Sequence, residues 1–345
     1  MSDGVNLTES SVAESTQQMM KVLGGMWVAK CVSAAAELGV ADVIGDGRKT
    51  TEEIAAATKT HAPSLYRLLR ALASAEVFRE ESKGVWTNSA LSKVLRTGVP
   101  GSLRYCAIAA LGQEHYGAWG ALADCVRTGE TGMKHVYKQE VWDYYRANEK
   151  HAKNFDQFMI DFSEGINDAF LKAYDFGGVK HLVDVGGGHG GVLAAILQKY
   201  PKLHGTLFDQ PQVVAGAKRN LDLHGVTSRC DRVAGNFFES IPAGADGYFM
   251  KFILHDWDDA KCLTILNGIR RVIDAKGKLI VADTVVPEGN SQDFSKLMDV
   301  NMLVMTGGIE RTEKQFAELF AQAGFKLTRV VPTESPLSLI EGIPV

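Results

Sequence analysis

Residues 183–200 read VDVGGGHGGVLAAILQKY: an apolar strand, a turn built from Gly186, Gly187, Gly188, Gly190 and Gly191, and a helix opening at about Gly191. Without Cβ atoms such a turn lets backbone approach a ligand closely, and amides at the helix N-terminus point outward. A nucleotide-like cofactor is the natural occupant. Gly186, Gly188 and Gly191 satisfy GxGxxG, the pattern of dinucleotide sites, while Asp184, Gly186, Gly188 and Gly190 satisfy DxGxGxG, which sets a carboxylate inside the turn. That acid suits a cationic amino group and offers nothing to a pyrophosphate. Asp209 closes the next strand, HGTLFD, about 20 residues on, where an acid can hold both ribose hydroxyls of either kind of cofactor. A third strand ends in GNFF, which places Asn236 to read an adenine edge and Phe237 either to stack on the base or to join the core.

Outward from the turn, HLVDV, HGTLFD, RVAGN, DGYFMKFIL and KLIVADTVV are strands separated by amphipathic helices. The alternation predicts an α/β fold with a parallel, doubly wound sheet. The chain closes differently. A helix over Thr312 to Ala323 stops at Gly324, and FKLTRVVPT and LSLIEGI follow with only a short connection, which requires an antiparallel pair.

Ahead of the sheet the texture is helical. From Ser15, Met19, Met20, Leu23, Trp27, Val28 and Val32 recur at intervals of three and four, up to a stop at Gly39. TTEEIAAAT carries a capping box through Thr50 and Glu53, and APSLYRLLRALASAE has Pro63 near its start and a stripe of Leu65, Leu68, Leu69 and Leu72. VFREESKGVWTNS then reads as two short strands around Lys83 and Gly84. Helix, helix and wing form the winged helix-turn-helix arrangement, which serves either DNA binding, here through Leu65 to Ala75, or packing and dimerisation. That helix carries only Arg67 and Arg70 as cations, and Glu76, Glu80 and Glu81 follow, so phosphate binding has little support.

Composition points the same way. A net charge of -4 and a pI near 6.2 leave no field of Lys and Arg for nucleic acid or an anionic membrane. At 345 residues, 46% apolar and 23% charged, the chain is globular, with room for about two domains. Cys31, Cys106, Cys125, Cys230 and Cys262 are scattered and odd in number, which predicts reduced thiols in a cytoplasmic protein rather than disulfides or a zinc site. The opening MSDGVNLTESSVAESTQQ lacks the pattern of a secretion signal, and no apolar run reaches the roughly 20 residues of a membrane span.

DVGGGHG, FDQP, GNFF, KFILHDWDD and GGIERT, in that order and spacing, resemble the S-adenosylmethionine-dependent small-molecule O-methyltransferases. That family includes the plant caffeic acid and flavonoid enzymes, the hydroxyindole enzymes, and bacterial enzymes acting on phenazines and polyketides. The resemblance covers nearly the whole chain. It implies a helical winged-helix dimerisation domain over residues 1–105, connecting helices over 106–178 that contribute to the substrate pocket, and a catalytic domain over 179–345. It further implies a Rossmann-like methyltransferase sheet of seven strands with an antiparallel last strand, a homodimer, S-adenosylmethionine as cofactor and no metal. Carried over by position, Asp184, Gly186 and Gly188 border the methionine portion, Asp209 binds the ribose, and Asn236 and Phe237 line the adenine. Ser163, Lys251 and Trp257 match further cofactor contacts. Asn236 departs from the Asp that the family usually has in GDFF.

Methyl transfer from a sulfonium asks the protein for in-line placement and a deprotonated acceptor. His255 follows the strand KFIL at the carboxyl edge of the sheet, and an imidazole takes a proton near neutral pH. By itself it is a general base or a cap for the helix that follows; the resemblance of HDW makes it the base. Glu310 in GGIERT and Asp283, which ends KLIVAD where the family often has Glu, match the carboxylates that orient that base. Their plainer readings are a helix N-terminal acid and a strand-end acid. Asp256 and Asp258 read as helix-start acids, and with no second cluster to complete a ligand set, His255, Asp256, Asp258 and Asp259 do not make a metal site.

Phe155, Phe158, Met159 and Phe162 form a stripe at helical spacing, as do Met298, Met302 and Met305, and spacing alone makes such stripes core. The resemblance places Phe155, Met159, Met302 and Met305 beside the acceptor, with Asn301 as the polar residue that orients a substrate oxygen. The expected activity is O-methylation of a small phenolic or polyketide-like aromatic. N-methylation, a non-methylating relative, NAD-dependent oxidoreduction and a DNA-binding regulator are the alternatives.

Overall fold

A computed structural model describes residues 9–345. The chain divides into two compact units, the first ending at Gln113 and the second spanning Glu114–Val345.

The first unit opens with the helix Glu9–Glu37, which starts ahead of Ser15 and ends where Gly39 turns left-handed at φ +68°. After Val40–Ile44 come β1 (Arg48–Thr50), the helices Thr51–Thr58 and Ala62–Ser74, β2 (Phe78–Ser82) and β3 (Val85–Asn88). Both halves of the Thr50 and Glu53 capping box are present, and Pro63 lies in the first turn of its helix. The wing has three antiparallel strands, in the order β1-β3-β2, rather than two. β1 is three residues long, too short for a period of two to show in sequence. Ile54, Leu65, Leu69, Leu72, Phe78 and Trp86 form the core, and the Trp86 indole N–H donates to Thr51 Oγ1 at 2.9 Å. On the long helix, by contrast, Met19, Met20, Leu23 and Trp27 are 57% to 67% exposed.

In the second unit, short helices lead to the 25-residue helix Glu149–Ala173 and then to the sheet. Its strands are β4 (His181–Val185), β5 (His204–Asp209), β6 (Cys230–Ala234), β7 (Gly247–Lys251), β8 (Lys278–Asp283), β9 (Phe325–Pro332) and β10 (Ser338–Pro344). They stand in the order β6-β5-β4-β7-β8-β10-β9. β4 to β8 pair in parallel, and β10 inserts antiparallel between β8 and β9, so the seven strands and the terminal hairpin are as expected.

Strand residues alternate between two buried faces. Leu182, Leu207, Phe249 and Ile280 pack with the helices Glu149–Ala173, Gly191–Lys199 and Pro211–Leu223. Val183, Val185, Tyr248, Met250 and Val281 pack with Asp259–Val272 and Glu313–Gln322. Burial on both faces is what makes a parallel sheet read as continuous apolar runs. β6 starts two residues before RVAGN, and β7 stops at Lys251 instead of running to Leu254, because Phe252 turns the chain at φ +56°.

Candidate active site

The glycine turn leaves β4 at its carboxyl end and enters the helix Gly191–Lys199 through Gly190. Gly186, Gly188 and Gly190 all have positive φ, a backbone region that side chains disfavour. Gly187 is required by space as well: a β-carbon there would lie 2.5 Å from Asp184 Oδ2. Asp184 is thus tucked under the turn, 3% exposed, while a β-carbon on Gly188 would meet nothing within 4 Å. The turn is open on its outer side.

Asp209, the last residue of β5, accepts the Gly188 N–H at 2.8 Å and the Gln210 N–H at 2.6 Å. Burial pushes the Asp184 carboxyl up to about 7, against the pull of Lys251 and with the push of Asp209. Burial likewise raises Asp209, against the two backbone amides. At the end of β7, Lys251 Nζ donates to Ser163 Oγ at 2.8 Å, and burial lowers it to about 8 against the attraction of Asp184 and Asp283. Two carboxylates at the carboxyl ends of neighbouring strands beside one glycine turn fit a ligand that brings an ammonium and a ribose diol; a pyrophosphate would meet repulsion there. Their chemistry therefore fits S-adenosylmethionine better than a dinucleotide.

Beyond β6, Phe237 lies edge-on to Phe238 at 4.8 Å and 6.3 Å from Trp257, and Phe238 lies 4.9 Å from Trp257. The rings form one apolar wall by the glycine turn, where a β-carbon on Gly186 would come within 3.7 Å of Phe237. Asn236 is exposed; its Oδ1 accepts the Phe238 N–H and its Nδ2 donates to Glu239 Oε1, both at 3.0 Å. An Asp here could make only the first bond and would face Glu239 with like charge.

His255 sits in a short 3-10 turn, Leu254–Asp256, and is 8% exposed. Its Nδ1 pairs with Glu310 Oε1 at 2.8 Å. A carboxylate at Nδ1 holds the proton on that nitrogen and leaves the lone pair on Nε2. Glu310 is fixed in turn: Thr284 donates to its other oxygen, and its backbone N–H donates to Asp299 Oδ1 at 2.9 Å. Glu310 lies in the loop before the helix Glu313–Gln322, buried, and is not a helix-terminal acid.

Asp283 is fully buried at the end of β8, and neither carboxyl oxygen has a hydrogen-bond partner. Burial raises it to about 7, with His255 opposing and Glu310 adding. Asp256 corrects the sequence reading. Only Asp258 caps the following helix, accepting the Lys261 N–H at 2.8 Å; Asp256 is drawn inward, its Oδ1 3.7 Å from His255 Nε2. Burial alone would lower the His255 imidazole, but Asp256, the Glu310 bond and Asp283 outweigh it and raise it to about 9.

Several residues that sequence reasoning left without a role hold this geometry. Arg311, 1% exposed, donates to the carbonyls of Leu254, Trp257 and Ile309 and to Asp259, tying the GGIERT loop to the HDW turn. The Ile309 N–H donates to the His255 carbonyl at 2.9 Å, and Gly308 lies so close that a β-carbon would overlap that carbonyl oxygen. Arg311 and Gly308 stand inside a quoted motif, so the signal was present; Thr284 and Asp299 carried none.

The acceptor-side residues lie on two helices. Phe155 stacks on Tyr145 at 4.9 Å, and Met159 follows it, half-buried, one turn on. On the helix Phe294–Met305, Met302 and Met305 are 6% and 2% exposed, and Asn301 Oδ1 accepts the Trp119 indole N–H at 3.0 Å.

Comparison with known proteins agrees with this architecture. The O-methyltransferase domain matches residues 119–326, and the O-methyltransferase dimerisation domain matches residues 20–98. The chain is similar to the phenazine O-methyltransferase PhzM of Lysobacter antibioticus, 39% identical over 95% of this chain and 96% of the relative. It is 32% identical to the 8-amino-8-demethylriboflavin N,N-dimethyltransferase of Streptomyces davaonensis, over 97% of each chain. Among solved structures it resembles the O-methyltransferase NcsB1 from neocarzinostatin biosynthesis, crystallised with S-adenosylmethionine and 2-hydroxy-5-methyl naphthoic acid. There the TM-score is 0.79 at 33% identity, covering 92% of this chain and 96% of that one. Sheet order, glycine turn and matched domains together make this chain a member of the S-adenosylmethionine-dependent small-molecule O-methyltransferase family.

Proposed function

We propose that the protein moves a methyl group from S-adenosylmethionine to a hydroxyl of a small aromatic acceptor, phenolic or polyketide-like, with His255 as general base. The observation that carries this reading is the 2.8 Å bond between His255 Nδ1 and Glu310, which leaves Nε2 to take the acceptor proton. Glu310 orients the ring and stabilises the imidazolium, and Asp283 and Asp256 add negative charge beside it. When bound, the cofactor supplies a methyl on a sulfonium, already a good leaving group. Asp184 holds its ammonium and Asp209 its ribose, with Gly186 and Gly188 clearing the way. Ser163 and Lys251 border the methionine end, and Asn236, Phe237 and Trp257 border the adenine. Phe155, Met159, Met302 and Met305 make the acceptor site flat and apolar, and Asn301, its amide oxygen held by Trp119 and one amide hydrogen turned to Met298 Sδ, has its other amide hydrogen for a substrate oxygen. Incubation with S-adenosylmethionine and a panel of phenols, catechols, indoles and quinones tests the reading. Gain of one methyl group on oxygen supports it, and turnover of none contradicts it.

Asp184→Asn keeps the shape of the side chain and removes its charge. A charge-assisted hydrogen bond contributes about 1.5–3 kcal/mol, so calorimetry with S-adenosylhomocysteine should show affinity reduced about 10- to 100-fold. Unchanged affinity would remove Asp184 from the cofactor site.

We further propose a cytoplasmic homodimer that binds neither nucleic acid nor membrane. All five cysteines are free, and no helix among the described residues is long and apolar enough to cross a membrane. The exposed row of Met19, Met20, Leu23 and Trp27 lies partly within the matched dimerisation domain and suits burial against a second copy. Trp27→Glu should convert the dimer to monomer in size-exclusion chromatography with light scattering; a dimer that persists would place the interface elsewhere.

One finding favours a second reading. The relative named as an N,N-dimethyltransferase is 32% identical over almost its full length, so methylation at nitrogen lies within this fold. An aminophenol acceptor separates the two, since NMR of the product distinguishes an O-methyl from an N-methyl group.

A further inference from the structure

We propose that Trp142 and Tyr145 form a pair of hydrogen-bond donors that reads a neutral carbonyl oxygen on the acceptor, so that the preferred acceptor is a hydroxylated quinone or aryl ketone rather than a simple phenol. This rests on the reading of Phe155 as part of the acceptor site. Trp142 and Tyr145 are three residues apart on the helix Val141–Ala147, and so share one of its faces. Tyr145 stacks on Phe155 with ring centres 4.9 Å apart, and Trp142 lies edge-on to the same ring at 6.0 Å. The Tyr145 hydroxyl and the Trp142 indole nitrogen are both buried without a hydrogen-bond partner. Tyr145 as a whole is 7% exposed. Buried Tyr and Trp normally find partners, because an unpaired buried polar group costs free energy. The adjacent Tyr144 has one, its hydroxyl lying 2.9 Å from His151 Nδ1.

The pair is joined to the base by a continuous row of rings. Phe155 touches Phe158, Phe158 touches Phe162, Phe162 touches Phe252, and Phe252 lies 5.1 Å from His255 at an angle of 30°. The base and the donor pair thus border one run of packed rings, the surface on which the proposal lays a flat acceptor. The indole N–H can only donate. The Tyr145 phenol is pushed far above its usual range by burial and by the charge of Glu114, so it too keeps its proton and donates. Glu114 is buried and paired with His151 at 3.2 Å, and Asp156 adjoins Phe155 in sequence. Those carboxyl groups disfavour an anionic carboxylate on the acceptor and leave a neutral carbonyl oxygen as the group that both donors can accept.

The test compares 2-hydroxyanthraquinone with 2-hydroxyanthracene, alike in shape except for the carbonyl oxygens, as acceptors for wild type, Tyr145→Phe and Trp142→Phe. Losing one neutral hydrogen bond should raise KM for the quinone about tenfold in either variant and leave KM for the hydroxyanthracene near wild type. The melting temperature of Tyr145→Phe should be equal to or above that of wild type. Equal losses on both acceptors, or a melting temperature several degrees lower in Tyr145→Phe, would overturn the proposal, since the hydroxyl would then serve the fold. A hydroxynaphthoate with a KM below that of the quinone would overturn its neutral-oxygen part. Methylation of neither anthracene by wild type, with the broader acceptor panel also inert, would instead sink the O-methylation reading on which it rests.

Discussion

Replacing His255 with alanine should lower kcat by about 10²- to 10⁴-fold, the usual contribution of a positioned general base, and leave S-adenosylhomocysteine binding unchanged. The separation follows from placement. His255 is held by Glu310, Arg311 and the GGIERT loop, whereas Asp184 and Asp209 stand near the ends of β4 and β5. Calorimetry and initial-rate kinetics on the same preparation check it. Near wild-type turnover at saturating cofactor would mean that the acceptor arrives deprotonated and that the base is dispensable. A large loss of cofactor affinity would mean that the His255 side chain itself belongs to the cofactor site instead.

Gly308→Ala should be nearly as damaging, although residue 308 offers no side chain to the chemistry. A β-carbon would overlap the His255 carbonyl oxygen and lie 2.5 Å from the Asp256 carbonyl carbon. Backbone on both sides cannot yield as a flexible side chain would, so the GGIERT loop must move away from the HDW turn. Overpacking of this kind costs about 1–3 kcal/mol, and a displacement of roughly 1 Å at a catalytic group can cost about 100-fold in rate. Expected is a lower melting temperature together with a kcat reduced about 100-fold. Gly178→Ala, where a β-carbon would meet nothing within 4 Å, is the control and should leave both near wild type. Wild-type kcat in Gly308→Ala would show that the close approach of the two loops does not set the base.

These two residues also mark how far the sequence could be read. His255 was legible because it follows a strand end in a recognisable motif, and the glycine turn, the capping box at Thr50 and the terminal hairpin were legible because each is a local pattern. What closes the site is not local. His255 and Glu310 are 55 residues apart, and the bonds made with Thr284, Asp299 and Arg311 exist only once the HDW turn, the end of β8, the helix Phe294–Met305 and the GGIERT loop meet. Asp256 shows the same limit: its position in the chain suggests a helix start, and only the 3-10 turn brings it to His255. Phe252 adds a backbone case, since nothing in KFIL announces a residue at φ +56° that ends β7 early and lays its ring beside the imidazole.

The central claim is that the imidazole held by Glu310 takes the proton, and the pH dependence of kcat/KM tests it most directly, because that ratio reports ionisations of the free enzyme. With three carboxyl groups around it, His255 is raised to about 9, so wild-type kcat/KM should climb with pH and level off near that value. In Glu310→Gln a negative charge is lost beside the imidazolium, the protonated form is less favoured, and its pKa falls. The rising limb should therefore move to lower pH while the plateau drops. A limb at the same pH in wild type and Glu310→Gln, with the same acceptor, would contradict the assignment of His255 and Glu310 as the proton-accepting pair.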